Sequence, residues 1–335
     1  MRIIYCGSGD FGAPTLRRLA ADGHDFAAVI TQPPRPAGRG GHLRPTPLSA
    51  AAGELGLSAR AVEDINDAPV VAELAALAAD VMVVADFGQM IRPPARQAAR
   101  LGAINLHGSL LPELRGAAPV NWAIIRGYTT TGVTVFELVE RMDAGPMYAR
   151  RSAEVRPDET AQELRRRLSQ IGVEAVVETL LLFASGKPEG EAQDESRATR
   201  APLLKKTDGV IDWSAGAPTI RNLVHGTWPW PGGHARCLAG GKEIDVIIAR
   251  ARAAPHRVAG DFDVSAQSNV SPALPRVAGV SPAPGTVTED LSVACGDGRL
   301  EIVEIKPAGG RLMPWRDFVK GHRVTAGSRF VPVQT

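Results

Sequence analysis

The chain has 335 residues, 44% of them hydrophobic and 22% charged, which is enough for two domains with a sizeable core. Its formal net charge of +2 is too small to indicate a nucleic-acid-binding protein by charge alone. No basic leader precedes the first apolar run, and no apolar stretch reaches the roughly 20 residues that span a membrane, so we expect a cytoplasmic protein.

The first third of the sequence alternates between short apolar runs and helical patterns. Residues 2 to 6 and 26 to 31 predict buried strands, and residues 13 to 22 between them predict a helix with its apolar residues on one face. Further apolar runs at 80 to 85 and 102 to 106, with alanine-rich helical stretches between them, continue the alternation. Such an alternation specifies a parallel sheet covered by helices.

Three glycines follow the first predicted strand with the spacing GxGxxG, at Gly7, Gly9 and Gly12. A dinucleotide site would also need an acidic residue about 20 positions further on, at the end of the second strand. That strand ends instead in Thr31 and Gln32. The sequence therefore favours a structural interpretation, in which the glycines allow a tight turn from strand to helix beside a cleft.

A polar constellation follows the strand predicted at 102 to 106. Asn105 and His107 lie two residues apart, so both side chains point to the same side of that strand, at its carboxyl end. A second apolar strand follows further on and leads to Asp143, whose carboxylate can meet the histidine at the sheet edge. An amide, an imidazole and a carboxylate held together are typical of an acyl-transfer site.

Each of these three residues has a role in such a reaction. Asn105 can stabilise the oxyanion of a tetrahedral intermediate, His107 can move a proton, and Asp143 can orient the imidazole. Each also has a structural interpretation when taken alone, because histidine, aspartate and asparagine all satisfy loop backbone groups. Ser109 lacks the GxSxG context of a nucleophilic serine, so a serine hydrolase is not favoured.

A long helix and a change of composition mark the end of the first domain. Residues 159 to 185 predict the helix, with Thr160 and Glu163 as a capping box. From Gly186 to Arg200 hydrophobicity falls and charge rises, which is typical of an exposed connector. We therefore expect a first domain over 1–185, a linker over 186–207 and a second domain over 208–335.

The second domain replaces helical patterns by short apolar runs between glycine turns. A stretch rich in Ser, Pro, Ala and Val at 253–285 predicts an inserted low-complexity loop. From Lys306 onward six lysines and arginines stand against Asp317 alone, a cationic excess that either faces phosphates or forms an ordinary solvated surface. The strands of a small barrel or sandwich are predicted at 244 to 248, 285 to 290, 291 to 295 and 300 to 305.

Several motifs closely resemble the folate-dependent formyltransferase family. NLHGSLLPELRG, from Asn105 to Gly116, and MDAGP, from Met142 to Pro146, agree with that family in spacing, turn residues and polar constellation. The chain-wide pattern is similar to that of the members that act on methionyl-tRNA. That likeness rests on TQPPRPAGRG at 31–40, KKTDGVIDW at 205–213, WPWPGG at 228–233 and IKPAGGRLMPWRDFVKGHR at 305–323.

The resemblance implies an α/β fold, with a Rossmann-like formyltransferase domain built on a parallel-rich sheet, followed by a small OB-like β-barrel that binds tRNA. It implies 10-formyltetrahydrofolate as co-substrate and initiator methionyl-tRNA as acceptor. Catalysis is assigned to Asn105, His107 and Asp143. The folate pocket is assigned to Phe87, Gly88, Gln89, Ser109, Leu110, Leu111 and Pro112. The tRNA contacts are assigned to Arg35, Arg39, Arg44 and Lys205.

The sequence departs from the family pattern at four places. Gly9 stands where the family usually has a proline, and Asp86-Phe87-Gly88 replaces the usual Ala-Tyr-Gly. Pro34 replaces a common acidic residue and Glu113 a common basic one. These departures bear on the acceptor more than on the chemistry.

Three other functions are consistent with parts of the sequence. A formyltransferase for amino sugar nucleotides would share the polar constellation, a nicotinamide-dependent reductase would use the glycine loop, and a non-catalytic RNA-binding protein would use the barrel alone. The seven histidines are scattered and the three cysteines lack CxxC spacing, so we expect neither a metal site nor disulfides. We expect a monomer.

Overall fold

The computed structural model describes residues 1–37, 42–254 and 282–333. The chain divides into two compact units. Unit 1 comprises residues 1–123 and 128–203, and unit 2 comprises residues 124–127 and 204–335. None of the helices in the described ranges is long and apolar enough to cross a membrane.

The strands of unit 1 are β1 (Arg2–Gly7), β2 (Asp25–Thr31), β3 (Arg35–Ala37), β4 (His42–Arg44), β5 (Ala59–Ala61), β6 (Val81–Ala85), β7 (Ala103–His107), β8 (Thr130–Glu137) and β9 (Met147–Glu154). They form a seven-stranded sheet of order β5-β2-β1-β6-β7-β8-β9, with a separate two-stranded ribbon of β3 and β4. The first five strands in that order run parallel, and the last two pair antiparallel.

The helices of unit 1 are α1 (Ala13–Ala21), α2 (Pro47–Glu54), α3 (Ala68–Ala76), α4 (Pro93–Arg96), α5 (Pro119–Ile125) and α6 (Ala161–Ala184). The first four lie between the parallel strands, as the alternating pattern predicts, whereas α5 lies between the antiparallel strands β7 and β8, and α6 follows β9. The inner strands β1 and β6 are buried along almost their whole length, because helices cover both faces of a parallel sheet. Their continuous apolar runs, rather than alternating ones, follow from that position.

The start of α6 confirms the predicted capping box. The Thr160 side chain accepts a hydrogen bond from the Glu163 backbone N–H, and the Glu163 carboxylate accepts one from the Thr160 N–H. Two of the backbone donors that a helix start leaves unpaired are thereby satisfied.

Most of residues 186–203 are exposed, as their composition predicts, and the segment is part of unit 1. Arg115 pairs with Arg200 in an isolated parallel bridge, and Ala201 is fully buried. Hydrogen bonds between polar groups hold this exposed segment to the rest of unit 1.

Unit 2 forms an antiparallel, barrel-like sheet around a core that includes Trp213, Phe318 and Phe330. The predicted strand at 285 to 290 is absent from the described part of this unit, where only isolated bridges form at Thr286 and Val287. Most of the insert expected at 253–285 lies outside the described residues. The elements are α7 (Ala217–Thr227), β10 (Gly233–Ala239), β11 (Lys242–Ala254), β12 (Val293–Ala294), β13 (Arg299–Pro307), β14 (Met313–Pro314), α8 (Trp315–His322) and β15 (Arg329–Val331).

The capping box at α6 gives a stability prediction. Thr160→Ala removes the hydroxyl that caps the helix, so the free energy of unfolding should fall by about 1 kcal/mol. Thr160→Ser keeps a capping hydroxyl and should stay near the wild-type value. Urea unfolding followed by circular dichroism measures both, and equal midpoints for the alanine variant and wild type would contradict the prediction.

Candidate active site

A cleft of about 360 Å³ lies at the carboxyl edge of the unit 1 sheet. Strand register gathers polar residues there, because Gly7 pairs with Ala85 and Val84 pairs with Asn105 across β1, β6 and β7. Asn105, His107 and Asp143 all line this one cleft. Its apolar wall includes Phe11, Phe87, Ile91, Leu106 and Val139.

His107 is held in a defined orientation. Its Nε2 lies 3.0 Å from the carbonyl oxygen of Leu114. A carbonyl only accepts, so Nε2 must carry the hydrogen and donate it. The ring also packs edge-on against Phe136, with ring centroids 6.2 Å apart. Consequently Nδ1 is the nitrogen left for chemistry, and it lies 3.9 Å from Oδ2 of Asp143.

Asp143 sits in a strained turn after β8. Its φ of 50° is in the left-handed region, which costs a non-glycine residue on the order of 1 kcal/mol. Its Oδ2 accepts a hydrogen bond of 2.8 Å from the backbone N–H of Gly116. The side chain is 13% exposed, so the carboxylate faces the imidazole in a largely water-excluded place. A separation of 3.9 Å is too long for a direct hydrogen bond but leaves a strong attraction to a protonated ring.

Asn105 supplies the third polar group. It is half-buried on β7, two residues before His107. Its side-chain amide makes no hydrogen bond within the part of the chain that the structure describes, whereas His107 and Asp143 are both engaged. An amide in a cleft without a partner in the protein can donate to a ligand oxygen.

The structure brings Phe87, Gly88 and Gln89 to the same cleft as Asn105 and His107. The Gln89 amide group nevertheless serves the protein itself, since it donates to the carbonyl oxygen of Val62 and accepts from the N–H of Ile65. Gln89 therefore stabilises this wall of the cleft by holding the adjacent segment at residues 62–65 in place.

Ser109, Leu110 and Leu111 do not line this cleft. They border a second cavity of about 320 Å³ together with polar residues of β8 and β9. Their loop is held to β8 because Thr134 Oγ1 accepts from the Leu111 N–H and donates to the Ser109 carbonyl oxygen. Pro112, which follows a cis peptide bond, is on neither lining. In this structure the loop contributes to the cleft indirectly, because it places the carbonyl oxygen of Leu114 within hydrogen-bond distance of His107.

The predicted tRNA contacts are not among the residues that line the cleft, although Arg35 donates to Gln32, which donates to the carbonyl oxygen of Phe87 in the cleft wall. Arg35 and Arg44 pair directly across the β3–β4 ribbon, and both are exposed. Arg39 lies outside the described residues. Lys205 belongs to unit 2, where it is exposed and its backbone N–H donates to Asp208. Of the four residues, Arg35 and Arg44 are the pair that the described structure brings together.

The glycine loop has a packing explanation. A Cβ on Gly7 would lie 2.7 Å from the carbonyl oxygen of Ala85, and one on Gly12 would lie 2.9 Å from the Ala85 Cβ. Both distances are too short for any side chain. These glycines let the loop after β1 pass close to the end of β6, as the structural interpretation expects.

Sequence reasoning missed a charged group at the rim of the cleft. Arg165 of α6 forms an ion pair with Asp86, lies 3.2 Å from Asp10 and covers the Phe11 ring at 5.0 Å. Burial raises the pKa of the Asp86 carboxyl, and the Arg165 guanidinium opposes that rise. A Cβ on Gly9 would lie 1.5 Å from Oδ2 of Asp86. Gly9 and Asp86, two departures from the family pattern, therefore lie against each other, and the space that Asp86 occupies requires a glycine at position 9. Their joint occurrence was the sequence feature that could have indicated this contact.

Comparison with known proteins gives one family for both parts of the chain. Residues 1–180 match the family model "Formyl transferase", and residues 203–323 match "Formyl transferase, C-terminal domain". The chain is 39% identical over 332 residues to the methionyl-tRNA formyltransferase of Geotalea uraniireducens, and the match covers 98% of this chain and 97% of that protein.

Solved structures share the fold at low sequence identity. HypX from Aquifex aeolicus, in complex with tetrahydrofolic acid, has a TM-score of 0.61 at 18% identity, covering 95% of this chain and 47% of that one. An N-formyltransferase from Helicobacter canadensis, in complex with folinic acid and dTDP-3-aminofucose, has a TM-score of 0.59 at 11% identity, covering 90% and 98%. The predicted fold class, a parallel-rich α/β domain followed by a small β-barrel, is confirmed.

The interdependence of Gly9 and Asp86 is testable by a double-mutant cycle. Gly9 does not have a positive φ, so Gly9→Ala should destabilise through the collision with Asp86, by about 1–3 kcal/mol. In an Asp86→Ala background the same change should cost much less, a coupling that neighbours in contact typically show. Urea unfolding of the four proteins measures it, and additive effects would show that the two positions are independent.

Proposed function

The chain belongs to the formyl transferase family and is a formyl-transferring enzyme, and on that premise we propose that it formylates the amino group of methionine on initiator tRNA with 10-formyltetrahydrofolate as donor. The observation that carries the chemistry is the single cleft in which an available amide, an oriented imidazole and a carboxylate meet.

The reaction needs a partner for each charge that it creates. The amine nitrogen bonds to the formyl carbon, the carbonyl electrons move onto oxygen, and the bond from that carbon to the donor nitrogen then breaks. The oxyanion needs a hydrogen-bond donor, and the Asn105 amide, which lines the cleft, is suited to be one. The proton that the amine loses must reach the departing nitrogen, and a nearby base can carry it.

His107 is the group suited to move that proton, through Nδ1. Its Nε2 is committed to the Leu114 carbonyl, so only Nδ1 can accept a proton within the cleft. Protonation at Nδ1 makes the ring cationic, and Asp143 at 3.9 Å stabilises that charge. No covalent intermediate with the protein is required.

The shape of the cleft supports a folate donor. A flat aromatic ring system needs apolar walls with a few polar groups, and a cleft of about 360 Å³ edged by Phe87, Ile91 and Val139 supplies the walls. Folate ligands are bound by HypX and by the Helicobacter canadensis enzyme.

Two observations support tRNA over an amino sugar nucleotide. The similarity to the Geotalea uraniireducens methionyl-tRNA formyltransferase is far higher than that to the amino sugar enzyme, at 39% against 11% identity. Arg35 and Arg44 also face each other across the β3–β4 ribbon, where like charges repel unless an anion lies near. Phosphates of a tRNA are anions of the required kind.

We also propose the cytoplasm as its compartment and a monomer as its working form. The three cysteines are free and buried, which suits a reducing environment.

The central experiment mixes the protein with 10-formyltetrahydrofolate and initiator methionyl-tRNA and follows formylmethionine by mass spectrometry. Loss of one oxyanion donor typically lowers the rate 100- to 1000-fold, so we expect a loss on the order of 100-fold or more for Asn105→Ala. His107→Ala and Asp143→Ala should reduce the rate by a comparable factor, because proton transfer depends on both side chains. Arg17→Ala, on the exposed surface of α1, is the control that should keep full activity.

The possible outcomes separate the competing functions. Product formation with losses confined to the three cleft variants supports the proposal. An inactive wild type that still binds tetrahydrofolate would redirect the search to amino sugar nucleotides as acceptors. If the protein binds no folate, 10-formyltetrahydrofolate is not its formyl donor.

The ribbon arginines give a separate prediction about the acceptor. Arg35→Ala combined with Arg44→Ala should raise KM for tRNA on the order of tenfold and leave KM for the donor unchanged. The salt dependence of tRNA binding should also weaken, by a slope of about 1 for each phosphate that the protein no longer neutralises. Steady-state kinetics at several salt concentrations measure both quantities, with Arg17→Ala as the control for a change of charge, and an unchanged slope would exclude phosphate binding at the ribbon.

A further inference from the structure

The side-chain hydrogen bonds of Gln193 link the surroundings of Asp143 to Arg115. Its Nε2 donates to the carbonyl oxygen of Asp143 at 2.9 Å and to that of Gly145 at 2.8 Å. Its Oε1 accepts from Nε and Nη2 of Arg115, at 3.0 and 2.6 Å. One amide therefore ties the turn that carries the catalytic carboxylate to a buried arginine.

Arg115 is a firm anchor for this contact. Its side chain is only 8% exposed, and its guanidinium also donates two hydrogen bonds to Glu195, at 3.0 and 2.9 Å. Hydrogen bonding to Arg115 lowers the pKa of the Glu195 carboxyl. The Arg115 backbone is fixed too, since its N–H donates to Thr199 and its carbonyl accepts from Ala201. The guanidinium thus has little freedom to follow a moving partner.

The turn is held from outside at two points. Asp143 has a left-handed backbone at φ 50°, a region that aspartate tolerates better than most L-residues but that still costs free energy, so contacts that hold the turn stabilise it. Two adjacent residues provide such contacts. Gly116 holds the Asp143 carboxylate directly through its N–H, and Arg115 holds the Asp143 backbone through Gln193.

We propose that Gln193 is a positioning residue for formyl transfer, and that it acts by fixing the Asp143 carboxylate opposite Nδ1 of His107. The inference rests on the proposed function, which gives Asp143 its role in stabilising the charged imidazole. Gln193 comes from the 186–203 segment, 50 residues beyond Asp143, so the polar segment after α6 completes the active site.

The expected effect is on turnover and not on binding. A displacement of about 1 Å at a catalytic group can cost 100-fold in rate, so Gln193→Ala should lower kcat on the order of 10- to 100-fold with little change in either KM. Gln193→Glu can still accept from Arg115, but it presents a carboxylate to two carbonyl oxygens. It should therefore be at least as damaging as the alanine variant.

A matched control separates positioning from general stability. Thr179→Val removes another buried hydrogen bond, from Oγ1 to the Ala175 carbonyl within α6, and should lower the urea midpoint of unfolding without changing kcat. In an Asp143→Asn background Gln193→Ala should have little further effect, because the residue it positions has already been changed. A kcat for Gln193→Ala equal to that of Thr179→Val, or a full loss retained in the Asp143→Asn background, would overturn the proposal.

A second measurement does not depend on the acceptor. In protein labelled with ¹⁵N-histidine, the imidazole resonances of His107 are assigned by their loss in His107→Gln. They should shift in Gln193→Ala in the same sense as in Asp143→Asn, and stay unchanged in Thr179→Val. Unshifted resonances in Gln193→Ala would refute the positioning role. Failure of wild type to formylate methionyl-tRNA would refute only the proposed acceptor.

Discussion

The hydrogen bond from His107 Nε2 to the Leu114 carbonyl is the contact on which the arrangement of the cleft depends. It decides which ring nitrogen faces Asp143, and it does so because a carbonyl cannot donate. The Leu114 carbonyl is in place only because the loop after β7 returns to that strand, held by Thr134 and by the Thr199 hydroxyl that accepts from the Leu114 N–H. Residues that do not line the cleft therefore decide which nitrogen of His107 carries the hydrogen.

A substantial part of the fold and of the candidate site could be predicted from the sequence, because many of their features depend on residues that are close together in the chain. The βαβ alternation, the capping box at Thr160 and the placement of Asn105 and His107 on one side of a strand follow from periodicity or from spacings of a few residues. The sequence also predicted that Asp143 meets His107, but not the route: β7 and β8 run antiparallel, so Asp143 reaches the imidazole through the loop after β8 and not from a shared strand end.

What the sequence did not reveal depends on contacts between distant polar residues. Gln193 and Arg115 are 78 positions apart in the chain, and Arg165 and Asp86 are 79 positions apart. Hydrogen bonds between such distant residues produce no periodic pattern in the sequence. The loop from Ser109 to Leu111 was assigned to the folate pocket by resemblance, but its path depends on a side chain in β8. Composition predicted the exposure of residues 186–203 but not their hydrogen bonds to unit 1, because a hydrogen-bonded segment and a free linker are equally polar.

Residues 186–203 also determine where such an enzyme can be divided into fragments. The end of α6 looks like the natural place to sever the catalytic portion, yet a fragment stopping there would lack both the strand-like pairing at Arg200 and the amide at Gln193. A fragment that keeps unit 1 whole has to extend to Leu203. Fusions or domain exchanges should therefore be joined beyond that point, because the polar segment after α6 belongs to unit 1.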